Sequence, residues 1–246
     1  MPRQFLCSLI SASEQTKRFI PFNRLSLFGC FCLLLTFSAF AQSPPSDLIQ
    51  RIDEAEIARE TNLAGYTVTE HYSVFRNGDA TPSASATVQT IYKRGQGKEC
   101  AVINRTGSQF LQKYLIDRVL HEQKGISAGD ARKNALIVSA NYTMQFDHEE
   151  SLSGRDCLVL KLIPKEKSPY LMDGQIWVDA RNYHLVRVKG SPSAMPSIWT
   201  GLPEIQRDYQ ELAGFAVAKT SRSESKRPVI GTTVVEIDYE NYQITP

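Results

Sequence analysis

Two hydrophobic periods alternate along the chain. Ser46 to Glu60, SDLIQRIDEAEIARE, repeats apolar residues near the helical period, with Leu48, Ile52 and Ala55 on one stripe and Ile49 beside it. Pro44 and Pro45 stop an earlier start, and Ser46 or Asp47 is placed to cap the first turn. Arg51, Asp53, Glu54, Glu56 and Arg59 fall on the expected exposed side. Past Ala64 the period drops to two. Tyr66, Val68, Glu70, Tyr72 and Val74 share one strand face, and Asn77-Gly78 marks the turn after it. Ala86, Val88, Thr90 and Tyr92 share a face of the next strand, and Cys100 to Asn104 predicts a third. Ser108 to Lys124 returns to helical spacing, and GISAGDARKN reads as a loop.

Strands are then expected over 142–149, 156–163, 175–179, 185–189, 204–212, 215–223 and 232–242. Their links are short, such as Ser153-Gly154-Arg155, Arg181-Asn182 and Ala213-Gly214. Short links join antiparallel neighbours, since parallel strands need long crossovers. The expected fold is therefore mainly β within the α+β class: a single curved antiparallel sheet of about ten strands with two or three covering helices.

The strands carry a continuous apolar face. In QIWVD, Ile176 and Val178 point one way, and Gln175, Trp177 and Asp179 the other. In HLVRVK, Val186 and Val188 are expected on one face, with Leu185, Arg187 and Lys189 opposite. Two amphipathic helices barely cover so large a face, and an open sheet under an incomplete lid makes an apolar cavity. Its expected lining is Val68, Tyr72, Val88, Tyr92, Leu158, Leu160, Ile176, Val178, Val186 and Val188. A solidly filled core explains the same residues one at a time.

Composition changes the picture at the N-terminus. Basic residues, an apolar run up to Ala39-Phe40-Ala41 and a Pro-rich opening describe a secretory signal peptide over 1–41, cleaved after Ala41. Residues 42–246 then form one exported domain. The leader holds Arg3, Lys17, Arg18 and Arg24 against Glu14, so its removal takes the formal charge from +2 to −1. That gives no support to a nucleic-acid partner, which needs a concentrated basic face. Cys100 and Cys157 remain. A pair in an exported protein suggests a disulfide. Yet GKEC and GRDC open strands expected to flank a third, about 10 Å apart, beyond the roughly 7 Å a disulfide spans. That geometry favours free thiols.

Catalytic signals are weak. Gly125-Ile126-Ser127-Ala128-Gly129 matches a nucleophile elbow in letters, but that motif needs a strand before it and a parallel sheet around it. His71, His121, His148 and His184 show no metal-ligand spacing, and Asp147 to Glu150, DHEE, fits a surface turn. No cofactor, metal site or catalytic residue is expected.

One resemblance spans the chain after the leader. SGRDCLVLKLIPK, then YLMDGQIWVDARNYHLVRVKGSPS, then ELAGFAVAKTSRSESK resembles the outer-membrane lipoprotein-sorting, or LolA/LolB-like, superfamily. The resemblance implies a half-open β-barrel lidded by helices, with an apolar interior that holds the acyl chains of lipids or lipoproteins. It implies a non-enzymatic periplasmic carrier or sensor, with envelope proteins as further partners and transient membrane contact. An envelope interaction domain with a filled core and no ligand is the competing expectation.

Overall fold

The computed structural model describes residues 46–195, 202–227 and 231–246. The leader and its Ala41 cleavage site lie outside the described residues. Among the described residues no helix is long and apolar enough to cross a membrane.

The chain opens with α1 (Leu48–Asn62), then β1 (Gly65–Arg76), β2 (Ala84–Lys93) and β3 (Gly97–Gly107). A helical segment follows: α2 (Gln109–Leu111), a π-helical turn (Gln112–Ile116), α3 (Asp117–Gly125) and α4 (Gly129–Asn134). Seven strands complete the chain: β4 (Tyr142–Leu152), β5 (Arg155–Pro164), β6 (Met172–Asp179), β7 (Leu185–Pro192), β8 (Glu204–Leu212), β9 (Phe215–Arg227) and β10 (Gly231–Thr245). All ten strands join one sheet in the order β3-β2-β1-β10-β9-β8-β7-β6-β5-β4, antiparallel throughout.

The order explains the shape. β1 pairs with β10, which returns from the far end of the chain, so first and last strands are neighbours. β3 and β4 stand at the two ends of the sheet, which is an open half-barrel. The helical segment links those two ends. Gly174 and Gly190 face each other across β6 and β7, where a Cβ on Gly174 would lie 2.1 Å from the Lys189 carbonyl oxygen. Only glycines let the two backbones run so close there.

Two apolar cores fill the helix-bearing face. α1 sets Leu48 and Ile52 against Tyr142, Met144, Leu160, Leu162 and Ile176 of β4–β6. Burying each of those two helix side chains stabilises by about 1.5–3 kcal/mol. The second helical segment sets Leu111, Ile116 and Leu120 against Val68, Tyr72, Val74 and Val88 of β1 and β2. A small third cluster, Cys157, Val159, Trp177 and Val186, lies on the opposite face of the sheet.

Several sequence expectations need correction. GDARKN is helical, not loop. Asp47 makes no capping hydrogen bond; its carboxylate instead accepts from Arg51 Nε at 2.7 Å. Glu56 is buried, on the stripe of Leu48 and Ile52 rather than the exposed side. Val186 does not share a face with Val188. Trp177 pairs with Arg187 but Val178 pairs with Leu185, so Val186 is the extra residue of a bulge. The bulge turns Val186 toward Trp177 and leaves Leu185 with Val188 in the α1 core. Finally, β3 and β5 do not flank a third strand, because seven strands separate them. Both cysteines are free.

Candidate functional site

Between the two cores the helix-bearing face turns polar. On α1 the buried stripe continues past Ile52 into Glu56, which pairs with the half-buried Arg59 at 2.9 Å. One position on, Glu60 pairs with Arg132 of α4 at 2.8 Å. On β1 the apolar alternation is interrupted by Glu70, wholly buried between Val68 and Tyr72. Its carboxylate accepts from the Tyr72 hydroxyl at 2.5 Å and lies 3.8 Å from Lys98 Nζ of β3. Gln123 of α3 closes the ring: its amide donates to Tyr72 Oη at 3.2 Å, and its carbonyl oxygen accepts from Lys98 Nζ at 2.9 Å. Four side chains thus tie the second helical segment to β1 and β3.

Beside this ring is a cleft of about 130 Å³. Its walls include Arg59 and Glu60 of α1, Tyr66 of β1, Tyr92 of β2, Lys98 of β3, Arg207 and Tyr209 of β8, and Tyr239 and Tyr242 of β10. Tyr66 stacks on Tyr92 with ring centroids 5.1 Å apart and meets Tyr242 edge-on at 5.6 Å. A second depression of about 390 Å³ is open and shallow, over Ile57, Thr61, Arg94 and Leu136.

The electrostatics are cationic. Burial works against the Lys98 charge, but Tyr66 and Glu70 outweigh it and its pKa is raised. Burial likewise works against Arg207, and its surroundings, Tyr239 and Tyr209 foremost, raise it on balance. Burial, assisted by the Glu70 charge, raises the Tyr72 phenol, and burial raises Tyr239 and Tyr242 as well. These tyrosines therefore present protonated hydroxyls at neutral pH.

The structure distributes the ten expected cavity residues among separate places. Val68, Tyr72 and Val88 pack beneath the second helical segment. Leu158, Leu160, Ile176, Val178 and Val188 belong to the core beneath α1. Val186 faces away, and Tyr92 alone of the ten lines the cleft. Arg59, Glu70, Lys98 and Arg207 were missed. Glu70 and Glu56 carried the available signal, a charge standing in an apolar period.

The arrangement offers binding groups rather than a nucleophile with its base. Ser127 Oγ accepts from the Lys98 backbone N–H at 2.8 Å and donates to the Lys124 carbonyl at 2.7 Å, which pins the turn after α3. A helix, not a strand, precedes it. His148 lies between Asp147 and Glu150, at 3.1 and 3.5 Å, on the exposed surface. Among the described residues no His, Cys, Asp and Glu cluster could hold a metal ion.

No family model and no curated protein matches the chain. Solved structures do. A LolA superfamily protein from Nitrosomonas europaea is 15% identical with a TM-score of 0.47, over 80% of this chain and 94% of that one. An outer membrane lipoprotein-sorting protein domain from Vibrio parahaemolyticus is 14% identical with a TM-score of 0.46, over 79% and 91%. A DUF1329 family protein from Desulfovibrio piger is 13% identical with a TM-score of 0.40, over 82% and 94%. The solved structures this chain resembles thus include those of the LolA superfamily and an outer-membrane lipoprotein-sorting domain, at low sequence identity.

Proposed function

We propose that this is an exported, non-enzymatic binding protein of the periplasm that takes the acyl chain of a lipid or lipoprotein between its helical cover and its sheet. One observation carries the reading. The helix-bearing face is divided into two separate apolar packings, under α1 and under α2–α3, with a cleft between them. A ligand entering the cleft parts the two covers without breaking a sheet hydrogen bond. Val68, Val88, Leu160, Ile176, Val178 and Val188 then exchange contact with helix side chains for contact with the acyl chain. Apolar burial is nearly conserved in that exchange, so the cost of opening falls on the polar ties of Gln123 and Arg132.

Delipidated protein is expected to bind a fluorescent fatty-acid analogue saturably. Absence of saturable binding, with the circular dichroism of a folded β protein retained, overturns the reading. It then favours the second one, an envelope interaction domain with a filled core. The small volume of the cleft, below the roughly 300–1,000 Å³ of typical small-molecule sites, is the observation on that side.

A further inference from the structure

We infer that the tyrosine-walled cleft binds a phosphate group through Arg207 and Lys98, as the head-group end of the amphiphile site proposed above, on which this inference rests.

The argument begins with charge. Three of the cleft's cations have carboxylate partners: Arg59 with Glu56, Arg132 with Glu60, and Lys98 with Glu70. Arg207 has none among the described residues. Its Nε is closed off from solvent and meets no hydrogen-bond acceptor. Glu70 Oε1 likewise has no hydrogen bond, and acts on both Lys98 and Arg207 only through its charge. One carboxylate therefore serves two cations, and the cleft holds a surplus positive charge. Arg207 is half-buried, hydrogen-bonded to Tyr209 and without a carboxylate of its own, an arrangement that is costly in a finished core. In a binding site the guanidinium is the group an incoming oxyanion neutralises.

Size and donors narrow the ligand. The cleft's 130 Å³ is well below the roughly 300–1,000 Å³ of typical small-molecule sites. That accommodates a phosphate and not a whole lipid, whose chain must lie elsewhere. Arg207 offers a planar fork and Lys98 a point charge, and Tyr66, Tyr92 and Tyr239 stand in the same walls. Donors spread in this way suit the three terminal oxygens of a phosphate monoester better than the two of a carboxylate.

Calorimetric titration of the delipidated protein with three probes tests this: inorganic phosphate, oleoyl lysophosphatidic acid, and monooleoylglycerol, which has the same chain without the phosphate. Lysophosphatidic acid is expected to bind at least about tenfold tighter than monooleoylglycerol, the gain of one or two charge-assisted hydrogen bonds. Arg207→Gln is expected to erase that difference. If Arg207→Gln does not fold, the wild-type ratio decides, with Arg207→Lys expected to retain only part of it. Equal affinity of wild type for the two lipids overturns the phosphate site and leaves the acyl-chain reading standing. So does a preference that survives in Arg207→Gln. Binding of inorganic phosphate alone, lost in Arg207→Gln, supports a site for free phosphate and sinks the amphiphile reading. Binding of none of the three overturns both.

Discussion

At the scale of single residues, Glu70 organises the site. It is wholly buried, on a strand whose neighbours on that face are Val68 and Tyr72. An isolated carboxylate could not remain there, since burying an unpaired charge costs more than a fold of this size can spare. The Tyr72 hydroxyl and the charges of Lys98 and Arg207 hold it. Glu70→Gln keeps the shape and removes the anion, leaving two neighbouring cations with nothing between them. Breaking a buried pair in this way costs about 3–5 kcal/mol, and we expect the lower end because the cleft lets water reach Lys98. Urea denaturation monitored by far-ultraviolet circular dichroism reads the loss as a lower midpoint. An unchanged midpoint would show that Glu70 is not the counter-ion that the geometry makes it.

At the scale of elements, legibility followed the length and regularity of the hydrophobic pattern. Ten strands were legible because Val, Thr, Tyr and Ile alternate with polar residues between turns such as Asn77-Gly78, whose φ angles are both positive. α4 was not, because GDARKN buries no side chain and so leaves no apolar stripe to read. The face of Val186 was not, because a one-residue bulge reverses the parity that alternation assumes. The same lack of buried contacts has a dynamic consequence. α4 is anchored by the Arg132–Glu60 pair and by Asn141, whose amide donates to the Lys133 and Leu136 carbonyls. β1 is hydrogen-bonded on both sides, to β2 and β10. Local opening free energy tracks such differences. Hydrogen–deuterium exchange is therefore expected to be fastest in α4, intermediate in α3, and slow in the centre of β1 near Glu70. Protection of Gly129–Asn134 equal to that of β1 would mean the cover does not open locally, and acyl-chain entry would need another route.

At the scale of the whole molecule, the strand order decides what no periodicity could reveal. Alternation shows which segments are strands but not their partners, so β3 and β4 looked like neighbours through chain order alone. In the fold they are the two ends of the sheet, and the helical segment between them exists to make that passage. The cysteines expose the difference. Free thiols were expected on the premise that β3 and β5 flank a third strand; they are free, but because eight strand spacings, about 38 Å along the curved sheet, lie between those strands. They also face opposite sides: Cys100 packs against the core under α2–α3, and Cys157 joins Val159 and Trp177 on the other face. No local curl of the sheet brings them within disulfide reach. A thiol-reactive chromophore added to unreduced protein in denaturant should therefore count two thiols for residues 42–246, even after export to an oxidising compartment. Under native conditions the two should differ in rate. Cys157 is almost wholly buried and its thiol pKa is pushed up, chiefly by burial, so little reactive thiolate forms there, whereas Cys100 is partly exposed. Cys100 should react first, and Cys157 only as fast as the sheet opens. A count of zero in denaturant would contradict the strand order itself, because only a different arrangement of the sheet brings these two residues together.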